Sequence, residues 1–210
     1  MAEPRSYRGV AHGQRVQARR TALLESGLDC LYEDGLSGIS VRSICARSGL
    51  TTRYFYESFA DLDELLVAVV DAVTAEIAER SIAALAGAPD ELGAQVRAAI
   101  GAGYRVVADD RRKANALLVA AAGHGPLRDR RHVDIMRFAD VVLASLPRLR
   151  LAPIPDRRTA RATALFLMGG SAEVIEAALS GSLRLSRARV VDQLTALWMS
   201  VLVPTGSAAM

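Results

Sequence analysis

Hydroxyl, phenol and guanidinium groups are concentrated in the segment SVRSICARSGLTTRYFYESF, residues 40–59. Hydroxyls and phenols donate hydrogen bonds to phosphate oxygens, and an arginine side chain can donate two bonds to the O6 and N7 atoms of guanine. The sequence has no acid–base or nucleophile set for catalysis, no GxSxG or GxGxxG motif and no phosphate loop. It therefore favours a nucleic-acid-binding protein over an enzyme.

Two short helices joined by a tight turn must position these groups. Ser40 is a good N-cap for the first helix, and Gly49 suits its end, where a left-handed residue is common. Thr51 is expected to cap the second helix, in which Phe55 and Phe59 are four residues apart and face inward. A helix, a turn that contains glycine and a second helix form a helix-turn-helix pattern.

The second of these helices is expected to read DNA, since a recognition helix presents its N-terminal half to the major groove. There Arg53 can fork onto guanine, and Tyr54 can pack on a thymine methyl group or reach a phosphate. Ser40, Arg42 and Ser43 open the preceding helix, where side chains and backbone amides can hold a phosphate. For the aromatic residues, packing in a small core is the alternative, and we expect it for Phe55.

Positive charge is concentrated near the N-terminus. The formal net charge is only +3, but residues 1–20 contain five arginines against Glu3 alone. Each arginine that neutralises a phosphate releases counterions, so a basic arm of this kind favours DNA binding. A solvated tail is the alternative for its first ten residues.

The cysteines and histidines show no metal-binding spacing. Cys30 and Cys45 lie in apolar helical patterns without a CxxC motif, which predicts buried, reduced thiols. His12, His124 and His132 are far apart, so we expect no metal site and no cofactor. The N-terminal segment lacks the apolar core of a signal peptide, and no window approaches ~20 uninterrupted apolar residues. These features predict a cytoplasmic protein without a membrane span.

The rest of the chain has apolar residues at helical spacing and no strand-like alternation, which predicts an all-α fold of about nine helices. Gly27 is expected to mark a close helix contact, Gly35 to cap the end of the first helix and Asp61 to cap a long fourth helix. A turn is predicted at residues 123–126 and a loop at residues 151–155. The predicted helices cover residues 14–34, 40–49, 51–58, 61–85, 91–108, 111–122, 127–148, 156–179 and 186–202.

Residues 20–66 resemble the DNA-binding region of the tetracycline-repressor-like (TetR) transcriptional regulators. The match covers about a fifth of the chain, and the remainder is similar in architecture only. The resemblance implies a three-helix helix-turn-helix domain at residues 14–60. A long fourth helix would link it to a helical effector-binding and dimerisation bundle at residues 61–210. The matching residues are Leu23, Gly27, Leu31, Gly35, Ser40, Val41, Arg42, Ile44, Gly49, Leu50, Thr51, Tyr56, Phe59, Leu65 and Leu66.

The resemblance also implies roles for single residues. Tyr56 is similar to a tyrosine that donates its hydroxyl to a backbone phosphate. Leu62 departs from the pattern, because the family usually has a lysine there that resembles a phosphate anchor. The predicted DNA contacts are Ser40, Arg42, Ser43, Thr51, Thr52, Arg53, Tyr54, Tyr56 and Ser58.

Two further sites are expected in the second domain. An effector pocket would be apolar with a few polar groups, although core or dimer packing is the alternative for each candidate. Glu173, an acid in the apolar run FLMGGSAEVIEAAL, is expected in the pocket or paired with an arginine across a dimer. Wide apolar coverage of residues 156–179 favours packing against a second subunit, and the last two helices resemble the family's dimerisation pair. The pocket candidates are Tyr104, Asn115, Met136, Phe166, Glu173 and Trp198, and the interface candidates are Ala164, Met168, Ile175, Leu194 and Leu197.

Together these features predict a homodimeric DNA-binding transcriptional repressor. It would bind a near-palindromic operator in double-stranded DNA and be released by a small, largely apolar effector. The alternatives are a ligand-independent architectural DNA-binding protein, a transcriptional activator and a helical enzyme.

Overall fold

The computed structural model describes residues 6–122, 125–145 and 156–203. Within these ranges the chain forms ten α-helices and no strand, which confirms the all-α prediction. The side chains of Arg5, Arg8, His12 and His124, and the loop predicted at 151–155, lie outside the described residues. The helices are α1 Ser6–Glu33, α2 Gly35–Gly38, α3 Val41–Ser48, α4 Thr52–Ser58, α5 Leu62–Gly87, α6 Leu92–Ala108, α7 Arg111–Ala121, α8 Gly125–Ser145, α9 Arg157–Leu179 and α10 Arg187–Leu202.

Local side chains explain where the last two helices begin. Asp156 Oδ1 accepts hydrogen bonds from the amides of Arg158 and Thr159, at 2.9 and 3.2 Å, at the start of α9. The hydroxyl of Thr159 also donates to this carboxylate, and these bonds lower the pKa of Asp156. Ser186 caps α10 by accepting from the amide of Arg189 at 3.3 Å. Both helices therefore begin where the sequence predicted, because capping depends on neighbouring residues alone.

The N-terminal helix differs from its prediction. α1 begins at Ser6 rather than at residue 14, since no proline interrupts the chain after Pro4. Its end is as predicted: Gly35 has a φ of +66°, a left-handed conformation that glycine adopts at little cost. A single helical turn, α2, then leads into the next element. The sequence predicts only a connection at the position of α2.

The described chain divides into two compact units, Met1–Asp71 and Ala72–Met210. Unit 1 contains α1–α4 and the first turns of α5, and its core includes the fully buried Leu23, Ile44, Phe55 and Leu65. The division falls later than the boundary predicted at residue 60, because Leu65 and its neighbours at the start of α5 belong to this core. The helix α5 continues without interruption from one unit into the other.

Unit 2 contains the rest of α5 and α6–α10. The helices α6 and α10 pack closely, with Val107 and Val190 in the core. Arg97 forms an ion pair with Asp192, and Arg187 bonds to Asp109 and to the carbonyl of Ala108 at the end of α6. These side-chain bonds connect α10 to α6 and to the residue that follows it, so they fix how the last helix lies on the unit.

One described helix, α9, is long and apolar enough to cross a membrane by length and composition alone. Only 17% of its most apolar window is buried inside the structure. Phe166, on this helix, is 70% exposed. Much of the apolar surface of α9 is therefore not covered by the rest of the described protomer.

Gly27 lies where α1 meets α5 in unit 1. A Cβ atom at this position would stand 2.6 Å from Leu65 Cδ2 and 3.3 Å from Val69 Cγ2. Leu65 is fully buried and Val69 nearly so, which limits how far they can move aside. The close helix contact predicted at Gly27 is therefore present.

We expect Gly27→Ala to lower the free energy of unfolding of unit 1. Overpacking costs about 1–3 kcal/mol, and the better helix propensity of alanine returns only about 1 kcal/mol. Gly13→Ala is the matched control, since its Cβ meets nothing within 4 Å and the change should be neutral or stabilising. Urea unfolding followed by far-UV circular dichroism measures both. Equal stability of the two variants would contradict the close-packing interpretation.

Candidate nucleic-acid interface

The first helix of the pair, α3, begins with a reciprocal cap. The Ser40 hydroxyl accepts from the amide of Ser43 at 3.1 Å, and the Ser43 hydroxyl accepts from the amide of Ser40 at 3.0 Å. This arrangement satisfies two backbone donors at the helix start. Amides of the first turn that receive no cap still point outward beside the exposed Arg42. Free amides and a nearby cation are groups that can hold a phosphate, and the phosphate contact at this helix start stays a prediction.

The turn between α3 and α4 depends on Gly49. Its φ of +68° lies in the left-handed region, and the amide of Leu50 then reaches back to the carbonyl of Cys45 at 3.2 Å. Thr51 follows in an extended conformation at the N-cap position of α4, but its side chain makes no capping hydrogen bond. The predicted capping role of Thr51 is therefore wrong. Thr51 and Thr52 are both exposed, so their side chains lie on the surface at the start of α4.

Burial of two phenylalanines fixes the orientation of α4. Phe55 and Phe59 are buried, with ring centroids 5.8 Å apart, as the sequence predicted. The opposite side of the helix then faces solvent: the Arg53 side chain is 85% exposed and Tyr56 is 61% exposed. Tyr56 also makes an edge-on contact with the Phe55 ring. Its exposure excludes core packing as the explanation for this tyrosine.

Two arginines of α1 pack against α4. The guanidinium of Arg19 lies 4.3 Å from the centroid of the Tyr54 ring, so this half-buried tyrosine has one face covered by a cation. Arg20 lies 4.2 Å from the Phe59 centroid and donates to the carbonyl of Ser58 at 2.7 Å. Both contacts pair a positive charge with an aromatic face, an arrangement that attracts electrostatically. The basic arm predicted from charge therefore includes two arginines with defined positions.

Glu57 joins these groups, and sequence reasoning did not assign it a role. Its Oε1 lies 3.1 Å from Arg53 Nε, and its Oε2 lies 3.8 Å from Arg19 Nη2. The four-residue spacing of Arg53 and Glu57 was a signal for the first contact, because such residues are neighbours on a helix surface. The second contact depends on how α1 packs, which the local sequence does not reveal.

The start of α5 offers no cation to a phosphate. Leu62 is half-buried, and Asp61, Asp63 and Glu64 around it are exposed. Asp61 accepts from the amide of Glu64 at 2.8 Å, and Glu64 accepts from the amide of Ala60 at 2.5 Å. Three carboxylates beside an apolar side chain repel a DNA backbone. The lysine anchor of the resembling family therefore has no local substitute at this corner.

The six predicted effector contacts lie on five helices and have different surroundings. Tyr104 is buried, and burial raises the pKa of its phenol. Asn115 and Met136 are half-buried. The indole of Trp198 donates to the Ser171 hydroxyl at 2.9 Å, which joins α10 to α9.

Two effector assignments need correction. Phe166 is 70% exposed, which does not suit a residue that lines an enclosed apolar pocket. The Glu173 side chain is 69% exposed and bonds to Arg131 of the same chain at 2.6 Å. Arg131 also bonds to Glu176. Burial raises the pKa of Glu176, and the positive charge of Arg131 offsets only part of that increase. The arginine partner of Glu173 thus comes from α8 of the same protomer.

The predicted dimer contacts also differ in how exposed they are. Ala164 and Leu194 are each only 2% exposed, because they pack inside the protomer, so they cannot meet a partner. Met168 and Ile175 are half-buried, whereas Leu197 is 45% exposed. Helical periodicity identified apolar positions, but it could not separate those that face the protomer core from those that face outward.

Metal and thiol chemistry find little support in the part of the chain that the structure describes. There, no group of three or more histidine, cysteine, aspartate or glutamate side chains is arranged to hold a metal ion. Cys30 and Cys45 are free and buried, as predicted, and burial raises the pKa of Cys45. A higher pKa keeps this thiol protonated, and protonated thiols are poor nucleophiles.

The fold is shared with solved structures of transcriptional regulators. A protein from Syntrophomonas wolfei described as a TetR-family transcriptional regulator aligns with a TM-score of 0.72 at 15% identity, covering 92% of this chain and 99% of its own. A TetR-family transcription regulator from Marinobacter aquaeolei aligns with a TM-score of 0.62 at 16% identity, covering 90% and 97%. The chain therefore has the helix-turn-helix and helical-bundle fold of these regulators.

A third similar structure contains a ligand. The transcriptional regulator FadR from Bacillus subtilis, solved in complex with stearoyl-CoA, aligns with a TM-score of 0.67 at 12% identity and covers 86% of this chain and 98% of its own. The sequence of this chain matches no protein-family model and no curated protein. The likeness thus lies in the fold, at identities too low to transfer individual residues.

We expect Ser40→Ala to destabilise unit 1 by about 1 kcal/mol, because it removes a cap that the Ser43 amide uses. Thr51→Ala, at the N-cap position of the next helix, should change stability by less than about 0.5 kcal/mol, since the Thr51 side chain makes no cap. Urea unfolding of the two variants gives the comparison. A larger loss in Thr51→Ala than in Ser40→Ala would contradict the geometry of both caps.

Proposed function

We propose that this protein is a TetR-family transcriptional regulator that acts in the cytoplasm as a homodimeric repressor. Each protomer reads one half of a near-palindromic operator, and a small, largely apolar effector releases the DNA. The observation that carries this proposal is the orientation of α4. Its phenylalanines are buried, and its N-terminal half presents Arg53 outward beside an exposed Tyr56.

Base reading falls to the start of α4. The exposed Arg53 side chain can donate two hydrogen bonds to guanine, a contact worth about 1–3 kcal/mol of discrimination. Thr51 and Thr52 precede it on the surface and can donate to a base edge or a phosphate. Tyr54 has one ring face under Arg19, so its contribution is to hold this arginine near DNA rather than to pack freely on a thymine methyl group.

Phosphate contacts frame the base contacts. Tyr56 is exposed on α4, so in this proposal its hydroxyl donates to the DNA backbone. The start of α3 adds backbone amides and Arg42, with the Ser40–Ser43 cap fixing the helix end. Ser58 serves differently, because its carbonyl accepts from Arg20 and thereby holds that arginine on α4. We propose that the α1 arginines supply the positive charge that Leu62 does not.

Selection of bound duplexes from random DNA tests the proposal, and an inverted repeat should emerge. On the selected operator, Arg53→Ala should weaken binding about tenfold or more, through the lost guanine contact. Tyr56→Phe should also weaken it about tenfold or more, through one lost bond to a charged phosphate in each protomer. Arg111→Ala, an exposed arginine of unit 2, is the charge-matched control and should leave affinity nearly unchanged.

Two other outcomes would contradict sequence-specific reading by α4. Recovery of no inverted repeat, with binding that depends on salt and not on sequence, would favour the architectural DNA-binding protein instead. Equal losses in Arg53→Ala and Arg111→Ala would show that net charge, not the exposed face of α4, determines affinity.

We place the dimer contact on α9 and α10. Phe166 and Leu197 are exposed large apolar residues on these two helices, which pack on one another. Gly169 and Gly170 have open space around them, so a partner helix can approach the α9 backbone closely. This surface, which we call the α9–α10 face, also accounts for the apolar and mostly unburied stretch of α9. Of the interface residues predicted from the sequence, Leu197 lies on this face, whereas Ala164 and Leu194 do not.

We expect Phe166→Ser to convert the dimer to monomer at micromolar concentration. Burying a phenylalanine is worth about 1.5–3 kcal/mol, and two-fold symmetry counts the residue twice, so dissociation should rise on the order of a hundredfold or more. Ile82→Ser is the matched control, because Ile82 is 46% exposed on α5. Sedimentation velocity distinguishes the two. A dimer that survives Phe166→Ser and dissociates in Ile82→Ser would place the interface elsewhere.

An effector site in unit 2 completes the proposal. We retain Tyr104, Asn115, Met136 and Trp198 as its candidate contacts, because these side chains are buried or half-buried in unit 2. The stearoyl-CoA bound to the FadR regulator of the same fold supports a largely apolar ligand. Such a ligand can release DNA only to the extent that it binds the DNA-competent and released states with different affinity.

A further inference from the structure

Glu57 is the only acid on α4, the helix that reads DNA in the proposed function. An acid at such a surface repels phosphate, so its placement calls for a reason. Its two carboxylate oxygens face two different arginines, with Oε1 3.1 Å from Arg53 Nε and Oε2 3.8 Å from Arg19 Nη2. The side chain is 42% exposed, so it borders the surface that meets DNA.

The contact to Arg53 uses only part of that guanidinium. Arg53 donates its Nε–H to Glu57, and this bond does not use the parallel Nη1–H and Nη2–H pair at the end of the guanidinium. A guanidinium has five N–H donors in a fixed planar fork, so holding one edge aims the others. Guanine offers two acceptors, O6 and N7, that accept a parallel pair of donors. An Arg53 held in this way can donate its Nη pair to O6 and N7 of guanine without breaking its Nε bond to Glu57.

The same carboxylate opposes a phosphate at this position. A phosphate that takes Arg53 or Arg19 away from Glu57 replaces one anionic partner with another and stands close to the carboxylate that it has displaced. The stack of Arg19 on Tyr54 fixes this arginine next to Glu57, so a phosphate that approaches Arg19 also approaches the carboxylate. The penalty applies to every DNA sequence, whereas the oriented guanine contact is available only at the right base pair.

We propose that Glu57 is a specificity-determining residue, which orients Arg53 toward guanine and weakens binding to DNA of unrelated sequence. This inference rests on the proposed function, since it concerns the same DNA-reading surface. Its quantitative content is the ratio of dissociation constants for random and operator DNA. Removing Glu57 should lower that ratio for two reasons. It should tighten binding to random DNA, and it should weaken binding to the operator.

The experiment measures both dissociation constants for wild type, Glu57→Ala and Glu57→Gln over a range of salt. Glu57→Ala should reduce the ratio about threefold to tenfold, as expected for an exposed ion pair together with a misaligned base contact. On random DNA its salt dependence should steepen by about one for each protomer bound, hence about two for the dimer, because each freed arginine neutralises a further phosphate. Glu57→Gln keeps the shape and a hydrogen-bond acceptor, so it should tighten random binding but lose less on the operator.

Glu33→Ala is the matched control, because Glu33 also holds an arginine of unit 1, Arg47, but this arginine belongs to α3 and not to α4. It removes the same charge and should tighten both complexes alike, with the ratio unchanged. In an Arg53→Ala background, Glu57→Ala should no longer change affinity for the operator more than Glu33→Ala does. Thermal unfolding of each variant confirms that the exposed substitution leaves the chain folded.

The outcomes distinguish a failure of the proposed function from a failure of the inference about Glu57. A wild-type chain that selects no sequence overturns the proposed function and this inference together. A wild-type chain that selects an operator, while Glu57→Ala keeps the ratio or changes it no more than Glu33→Ala, overturns the inference alone. An effect of Glu57→Ala on the ratio that persists in full without Arg53 also overturns it, since Arg53 would then not be the group that Glu57 orients.

Discussion

The surface proposed to read DNA depends on the burial of Phe55. The helix α4 has only seven residues, so one fixed side chain determines the direction of all the others. Phe55 is fully buried and packs near Phe59, which turns Arg53 and Tyr56 outward. Burial of an aromatic side chain of this size outweighs the weak surface contacts of α4. The hydrophobic core of unit 1 therefore sets the position of groups that contribute little to stability themselves.

The predictable part of this architecture is the part that short-range interactions determine. Ser40, Asp61, Asp156 and Ser186 cap helices because their side chains reach amides two or three residues away, and a sequence shows that spacing directly. Gly49 takes a left-handed conformation for an equally local reason. Thr51 shows the limit: it stands at an N-cap position, yet its side chain makes no capping hydrogen bond. Position in the sequence does not fix a rotamer.

The unpredictable part depends on which helix meets which. Ala164 and Phe166 lie two residues apart on α9 and are both apolar, yet one is 2% exposed and the other 70%. Helical periodicity gives the angle between them but not which direction is the core. Likewise, Glu173 pairs with Arg131 and Glu57 with Arg19, partners that are distant in the chain. Such pairings follow from tertiary packing, so the interface and effector residues needed correction while the helix-turn-helix pattern did not.

In the proposed function, the carboxylates around Leu62 have a consequence for how DNA approaches. Along α4 and into α5, charge changes from the exposed Arg53 to Glu57, Asp61, Asp63 and Glu64. The start of α4 is also the positive end of its backbone dipole, so the two gradients add. A polyanion near this surface experiences a torque as well as an attraction, and it meets the N-terminal end of α4 first. Encounter complexes should therefore form already oriented, and the formal net charge of +3 understates how strongly the surface directs association.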